Sequence, residues 1–256
     1  MAITINIELT DHCNIRCKMC SQSLRAQAHG VPKKFISWSI WHQSLHNLSN
    51  FEEEIHLCPH WLGEPTLHPY FDRFIEYAFA INTQNHLFQK FKLHTNAVVF
   101  SKQRSRLLLQ LAQLQFLHPQ TFNFIHFSVD AFSKETYKIV KGANKRDQVY
   151  QNILDFIKLR HELNLSYPKI TIAFVVQPEN AHEAIAFQRF WLSEMQKYDM
   201  QPSQFYDWPS EEVDCLYFRR LNCADQEKSD QLHAKTALDL GLTSELTSSL
   251  RRDGSF

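Results

Sequence analysis

The chain predicts an α/β fold in which parallel strands, covered by helices, curve into a partial (β/α)6 barrel. Three observations carry this. Strand-like apolar runs alternate with helical patterns six times, the order that right-handed crossovers between parallel strands produce. Those six units consume the chain to about residue 208, too few for a closed eight-stranded barrel. The polar, motif-like segments fall directly after strand runs, where barrels of this kind gather their functional groups.

The first strand covers residues 3–9, with Ile3, Ile5, Ile7 and Leu9 alternating along it. Strands follow at Glu54–Cys58 and at residues 90–94, 123–129, 170–176 and 205–208. Apolar residues at helical spacing place helices at residues 37–48, 70–81 behind Pro69, the leucine-rich Lys102–Leu114, 134–140 with 148–163, and 181–198. After Trp208-Pro209 the character changes. Residues 210–222 are mixed, 224–240 read as one polar amphipathic helix ended by Gly241, and 243–256 have the Ser, Thr and Arg content of a frayed tail. The expected organisation is a core over residues 1–208 and a short, mainly helical C-terminal extension over 209–256.

The chain has 256 residues, enough for one larger α/β domain with a short appendage. With 27 basic and 27 acidic residues it lacks the overall attraction of a nucleic-acid or membrane-surface binder, so the expected partner is a peptide or small molecule. No apolar stretch approaches the ~20 residues that span a bilayer, and the N-terminus enters a strand pattern without a signal-peptide profile; a cytoplasmic location is expected. Only five glycines are present, and neither a P-loop nor a dinucleotide fingerprint occurs. The twenty phenylalanines are read as core filling between sheet and helices.

Cys13, Cys17 and Cys20 form a C-x3-C-x2-C run just after the first strand. Three thiolates this close can hold three irons of a cubane iron-sulfur cluster whose full complement is four, leaving one iron open for a substrate or cofactor. Zinc is the main competitor, but structural zinc sites combine such a pair with a distant second pair, and none follows here.

The segment from Ile7 to Cys20 closely resembles the cluster loop of radical S-adenosyl-L-methionine (SAM) enzymes, in the branch that often carries a SPASM or Twitch extension. Leu62-Gly63-Glu64-Pro65 resembles the GGEP segment of that family, Thr95-Asn96 its TNG segment, and Ser128-Val129-Asp130 its SxD strand end. The resemblance covers about residues 3–208, with four dispersed elements in the family's order. It implies a TIM-like partial barrel. It also implies a [4Fe-4S] cluster on Cys13, Cys17 and Cys20 whose open iron chelates SAM, and an external electron donor such as flavodoxin or ferredoxin. Reductive cleavage of SAM would then start hydrogen abstraction from a peptide or small-metabolite substrate. SAM contacts are expected from Gly63, Glu64, Pro65, Thr95, Asn96, Ser128 and Asp130, with Gly63-Glu64-Pro65 supplying backbone acceptors. Leu62 and Ala97 stand where the family usually has glycine.

Other residues are open to two readings. His56, Cys58 and His60 alternate along the second strand, with His94 and His126 late in the third and fourth; any of them could touch substrate or simply complete the core. Cys215 and Cys223 lie where relatives begin an auxiliary-cluster extension, but two thiolates do not complete a cubane. Two rivals to the enzyme reading are an iron-sulfur carrier or redox sensor that does not cleave SAM, and a truncated interaction protein.

Overall fold

Along each strand large apolar side chains alternate with mostly polar ones, and the computed structural model, which describes residues 1–21, 23 and 34–242, gives the two faces different work. The strands are β1 (Ala2–Asn6), β2 (Glu54–Cys58), β3 (Lys90–Thr95), β4 (Phe122–Ser128), β5 (Lys169–Val176), β6 (Ser203–Phe205) and β7 (Cys215–Arg220). All pair in parallel in one open sheet, in the order β1-β2-β3-β4-β5-β7-β6. The helices are α1 (Trp38–Asn47), α2 (Phe71–Asn85), α3 (Lys102–Leu114), α4 (Lys134–Lys141), α5 (Arg146–Glu162), α6 (Ala184–Gln196) and α7 (Gln226–Asp239).

The outer face is aromatic. Phe79, Phe88, Phe91 and Phe122 form one cluster beneath α2, Phe100, Phe127 and Phe156 a second beneath α5, and Phe174, Phe187, Trp191 and Phe218 a third beneath α6. Each fully buried phenylalanine contributes roughly 1.5–3 kcal/mol, which is why a chain so rich in this residue covers a parallel sheet with helices. Serine caps start several of these helices: Ser37, Ser101 and Ser133 accept from Ile40, Arg104 and Thr136 amides at the N-termini of α1, α3 and α4.

The parallel α/β barrel segment is as expected, but its last part is not. The strand expected at 205–208 is the short β6 at the sheet edge, and the strand beside β5 is β7, from the stretch expected to be a mixed extension. The expected boundary at residue 208 therefore falls before the last strand of the sheet. A count of strand-helix units misses β7 because no helix separates it from β6. α7 completes the layer: His233 Nε2 lies 2.9 Å from the Phe218 carbonyl and Ala237 is buried. Residues 206–214 close the N-terminal end of the barrel, where Glu211 pairs with Lys92 (2.6 Å), Glu212 with Lys90 (2.7 Å), and Asp214 with Arg160 (2.7 Å). The expected tail at 243–256 lies outside the described residues. Among the described residues no helix is long and apolar enough to cross a membrane.

Candidate active site

The C-terminal ends of β1–β4 carry the motifs, and the cysteine loop between β1 and α1 lies across them. Its outgoing limb is tied down where Thr10 bridges Phe35, the Thr10 hydroxyl donates to the Lys34 carbonyl (2.6 Å) and the Lys34 amide to Asp11 (2.7 Å). Cys13, Cys17 and Cys20 are half-buried free thiols. Burial pushes Cys17 up to about 11 and Cys13 upward, with the Lys141 ammonium opposing in both cases. Iron binding at such thiols must displace protons. Among the described residues no three His, Cys, Asp or Glu side chains converge on a single-ion site. A cubane asks for something else, because each thiolate takes a different iron.

Two supports clamp this loop. On one side lies Gly63: a Cβ there would sit 1.9 Å from the Thr10 carbonyl oxygen, so only glycine admits the loop this closely. The Glu64 amide donates to the His12 carbonyl at 2.8 Å. The Glu8 carboxylate holds the same segment by accepting the Leu62 and Gly63 amides at 2.6 and 2.7 Å. On the other side lies the end of α4, whose last carbonyls accept from the loop: the Arg16 amide donates to Lys141 (3.0 Å) and the Lys18 amide to Val140 (2.9 Å). Gly142 then turns the chain at φ +63°, with no room for a Cβ against the Arg16 carbonyl, 2.4 Å away.

Beneath these supports the expected site residues form a linked network. Glu64 is buried, and its carboxylate accepts from the Asn96 amide (2.6 Å), the Thr95 hydroxyl (2.8 Å), the Thr66 amide (3.2 Å) and the Thr66 hydroxyl. Burial raises its pKa, and these bonds offset part of the effect. Asn96 reaches the cysteine loop itself, its Nδ2 donating to Asn14 Oδ1 (2.8 Å) and lying 3.7 Å from Cys13 Sγ. Ala97 takes φ +61° where glycine is usual, so alanine occupies the left-handed conformation without losing the turn.

Ser128 and Asp130 meet, the Ser128 hydroxyl donating to Asp130 Oδ2 at 3.1 Å and accepting from Lys141 Nζ at 3.0 Å. Asp130, however, is held inside the protein. Its Oδ2 accepts from Lys141 Nζ at 2.6 Å and its Oδ1 from the Val175 amide at 2.8 Å, while Asn180 Nδ2 donates to its carbonyl at 2.7 Å. Lys141 is buried; burial alone would lower its pKa, but the Asp130 carboxylate outweighs this and raises it. Thus Asp130 and Glu64 brace the site with their side chains. Sequence reasoning missed Lys141 and Glu8. A lysine at the end of an amphipathic helix and an acid within a strand pattern carry no signal without the contacts.

On the inner side of these strand ends, His60 just past β2, His94 of β3 and His126 of β4 stack side by side, with ring centroids 5.4 and 4.7 Å apart and planes 11° and 23° from parallel. Tyr217 on β7 meets His126 edge-on at 6.4 Å. Burial lowers His60 to about 4 and His126 to about 3, and lowers His94 well below its usual value, so the row is neutral near pH 7. His56 lies apart, 3.1 Å from the exposed Glu54. Cys58 is buried and pushed up to about 12 by burial, which makes it an unreactive thiol. Cys215 is buried against Thr171, whereas Cys223 is exposed near the Asp225 carbonyl.

Residues 7–190 match the radical SAM superfamily. The tungsten-containing aldehyde ferredoxin oxidoreductase cofactor-modifying protein of Pyrococcus furiosus is 22% identical over 187 residues, covering 73% of this chain and 47% of that protein. Native anSMEcpe with bound AdoMet and Cp18Cys peptide superimposes with a TM-score of 0.56 at 15% identity, over 86% of this chain and 51% of that one. Native anSMEcpe with bound AdoMet alone gives a TM-score of 0.59 at 15% identity, over 93% and 60%. The chain thus spans about half the length of the curated relative it matches.

Proposed function

Because the chain belongs to the radical SAM superfamily, whose enzymes use a [4Fe-4S] cluster and SAM, we propose that Cys13, Cys17 and Cys20 hold the cluster and leave one iron for SAM. The observation that carries this is the double clamp on the cysteine loop, by Gly63 and the Glu64 amide on one side and the end of α4 on the other. The residues fit the group: three half-buried thiols lie in one braced loop, and Asn96 points an amide donor toward Cys13 Sγ. When bound, cluster and SAM supply reductive cleavage of the sulfonium and hydrogen abstraction from the substrate. The protein's own share is positional. Gly63 and Pro65 offer backbone carbonyls to the SAM amino group, and Ser128, whose hydroxyl donates to Asp130 and accepts from Lys141, is anchored with them at the neighbouring strand end. Glu64, Thr95, Asn96 and Asp130 fix the strand ends so that these groups keep their places.

The substrate is a peptide or small molecule and the electron donor an external flavodoxin or ferredoxin, in the cytoplasm. The relative named for modifying a cofactor and the neighbour solved with a peptide support those two substrate classes. The test is anaerobic reconstitution. About four irons per chain should be bound, dithionite and SAM should yield 5′-deoxyadenosine, and replacing the three cysteines by Ala should remove both. A triple variant that keeps wild-type iron content would refute the assignment.

A further inference from the structure

Among the described residues, the inner face of the barrel has one cation without a counter-charge, Arg219. Inward positions of β7 alternate as Cys215, Tyr217 and Arg219, in register with Thr171, Ala173 and Val175 of β5. Tyr217 meets His126, and Arg219 one step nearer the strand end is close enough to lower both His94 and His126. Other inward cations are neutralised: Lys92 by Glu211 at 2.6 Å and Lys141 by Asp130 at 2.6 Å. The neighbouring Arg220 pairs with Asp230 at 3.0 Å. Among the described residues Arg219 has no carboxylate within ion-pair distance, and it is exposed. Nor, among the described residues, do His94 and His126 have hydrogen-bond partners; both are half-buried and stacked on one another on the inner face. A neutral imidazole offers one donor and one acceptor. A guanidinium offers a fork that matches a carboxylate.

We propose that Arg219, His94 and His126 form the recognition surface for a substrate that carries a carboxylate beside neutral hydrogen-bonding groups. The proposal rests on the enzyme reading above, since it places a substrate in the barrel mouth below the cysteine loop. The carboxylate could belong to the substrate or to the methionine moiety of SAM. β7 stands four strands from β2, whose end carries the segment assigned to SAM, and this favours the substrate.

The experiment uses the full chain, reconstituted anaerobically and titrated with glutarate and, separately, with its neutral diamide glutaramide, each with and without saturating SAM. Histidine ring signals are followed by NMR. Glutarate is expected to shift the His94 and His126 signals saturably in both states, and glutaramide to leave them in place. Arg219→Gln should weaken glutarate binding at least tenfold and Arg219→Lys less, with unfolding midpoints near that of the unmodified chain. Three results would overturn the proposal: no shift with either probe, equal shifts with both, or unchanged glutarate affinity in Arg219→Gln. A fourth is exclusion of glutarate by SAM together with weaker SAM binding in Arg219→Gln, which would assign Arg219 to the cofactor's carboxylate. Failure of the unmodified chain to form 5′-deoxyadenosine is a separate outcome. It refutes the cofactor chemistry while leaving the carboxylate titration readable.

Discussion

At the strand ends, Glu64, Asp130 and Lys141 commit their polar side-chain groups to partners inside the protein, whereas His94 and His126, on the inner face of the same barrel, commit none among the described residues. The first region is built from charges and the second from neutral rings. The difference teaches which residues hold the site in shape and which are free to meet a ligand. A buried carboxylate with several donors is a poor candidate for ligand contact, because releasing any donor leaves a desolvated group unpaired.

The sharpest way to break this contrast is Asp130→Ala. It leaves the Lys141 ammonium buried without its counter-charge, and the expected loss of stability is about 3–5 kcal/mol by chemical denaturation. Iron uptake should fall with it, because Lys141 carries the carbonyl that holds the Arg16 amide. Wild-type stability with selectively weakened SAM binding would mean that Asp130 is a ligand contact and not a brace.

The histidine row makes the opposite kind of statement, through pH. His60 and His126 have folded-state pKa values lowered to about 4 and about 3 from an unfolded value near 6.5. Their neutral burial therefore favours folding fully above pH 6.5. That contribution declines as pH falls below 6.5, where the unfolded chain gains the protons first, and it levels off only once the folded values are passed. Each tenfold difference in proton affinity between the two states is worth about 1.4 kcal/mol, so a few kcal/mol should disappear between pH 6.5 and 4. His126→Gln should flatten the acid limb of the unfolding midpoint plotted against pH; an unchanged limb would mean that the row is solvated and carries no such penalty.

Much of this was legible in the chain. The cysteine spacing, Gly63-Glu64-Pro65, Thr95-Asn96 and Ser128-Asp130 all converge at the strand ends, because a parallel strand followed by a helix always delivers its C-terminal residues to one side of the sheet. What sequence could not give was direction. Asp130 follows the end of β4 with φ +64°, so its carboxylate meets Lys141 and the Val175 amide rather than continuing the strand's alternation. β7 was hidden for a related reason. Cys215–Arg220 has an apolar run like other strands, but insertion between β5 and β6 is a long-range pairing that no local pattern encodes.

Gly63→Ala sharpens the comparison from the loop side. The added methyl would collide with the Thr10 carbonyl, so the cysteine loop must shift; overpacking of this kind typically costs about 1–3 kcal/mol. Expected are a modest fall in the unfolding midpoint and a larger fall in the iron bound on reconstitution. Full iron loading would show that the loop position is not set by this contact.

The smallest effect belongs to Ala97→Gly. Alanine at φ +61° bears a left-handed penalty of about 1–2 kcal/mol, and glycine removes it at an entropic cost of roughly 0.5–1 kcal/mol. The net expectation is a gain of about 0–1.5 kcal/mol, with iron content unchanged because the Ala97 amide still donates to Thr95 Oγ1 and its carbonyl still accepts from Asn152. Denaturant midpoints on the two proteins decide it. A clear loss of stability would mean that the buried Ala97 methyl, fully enclosed in the core, contributes more by packing than its backbone conformation costs, and that this turn is held by its side chain instead of being tolerated despite it.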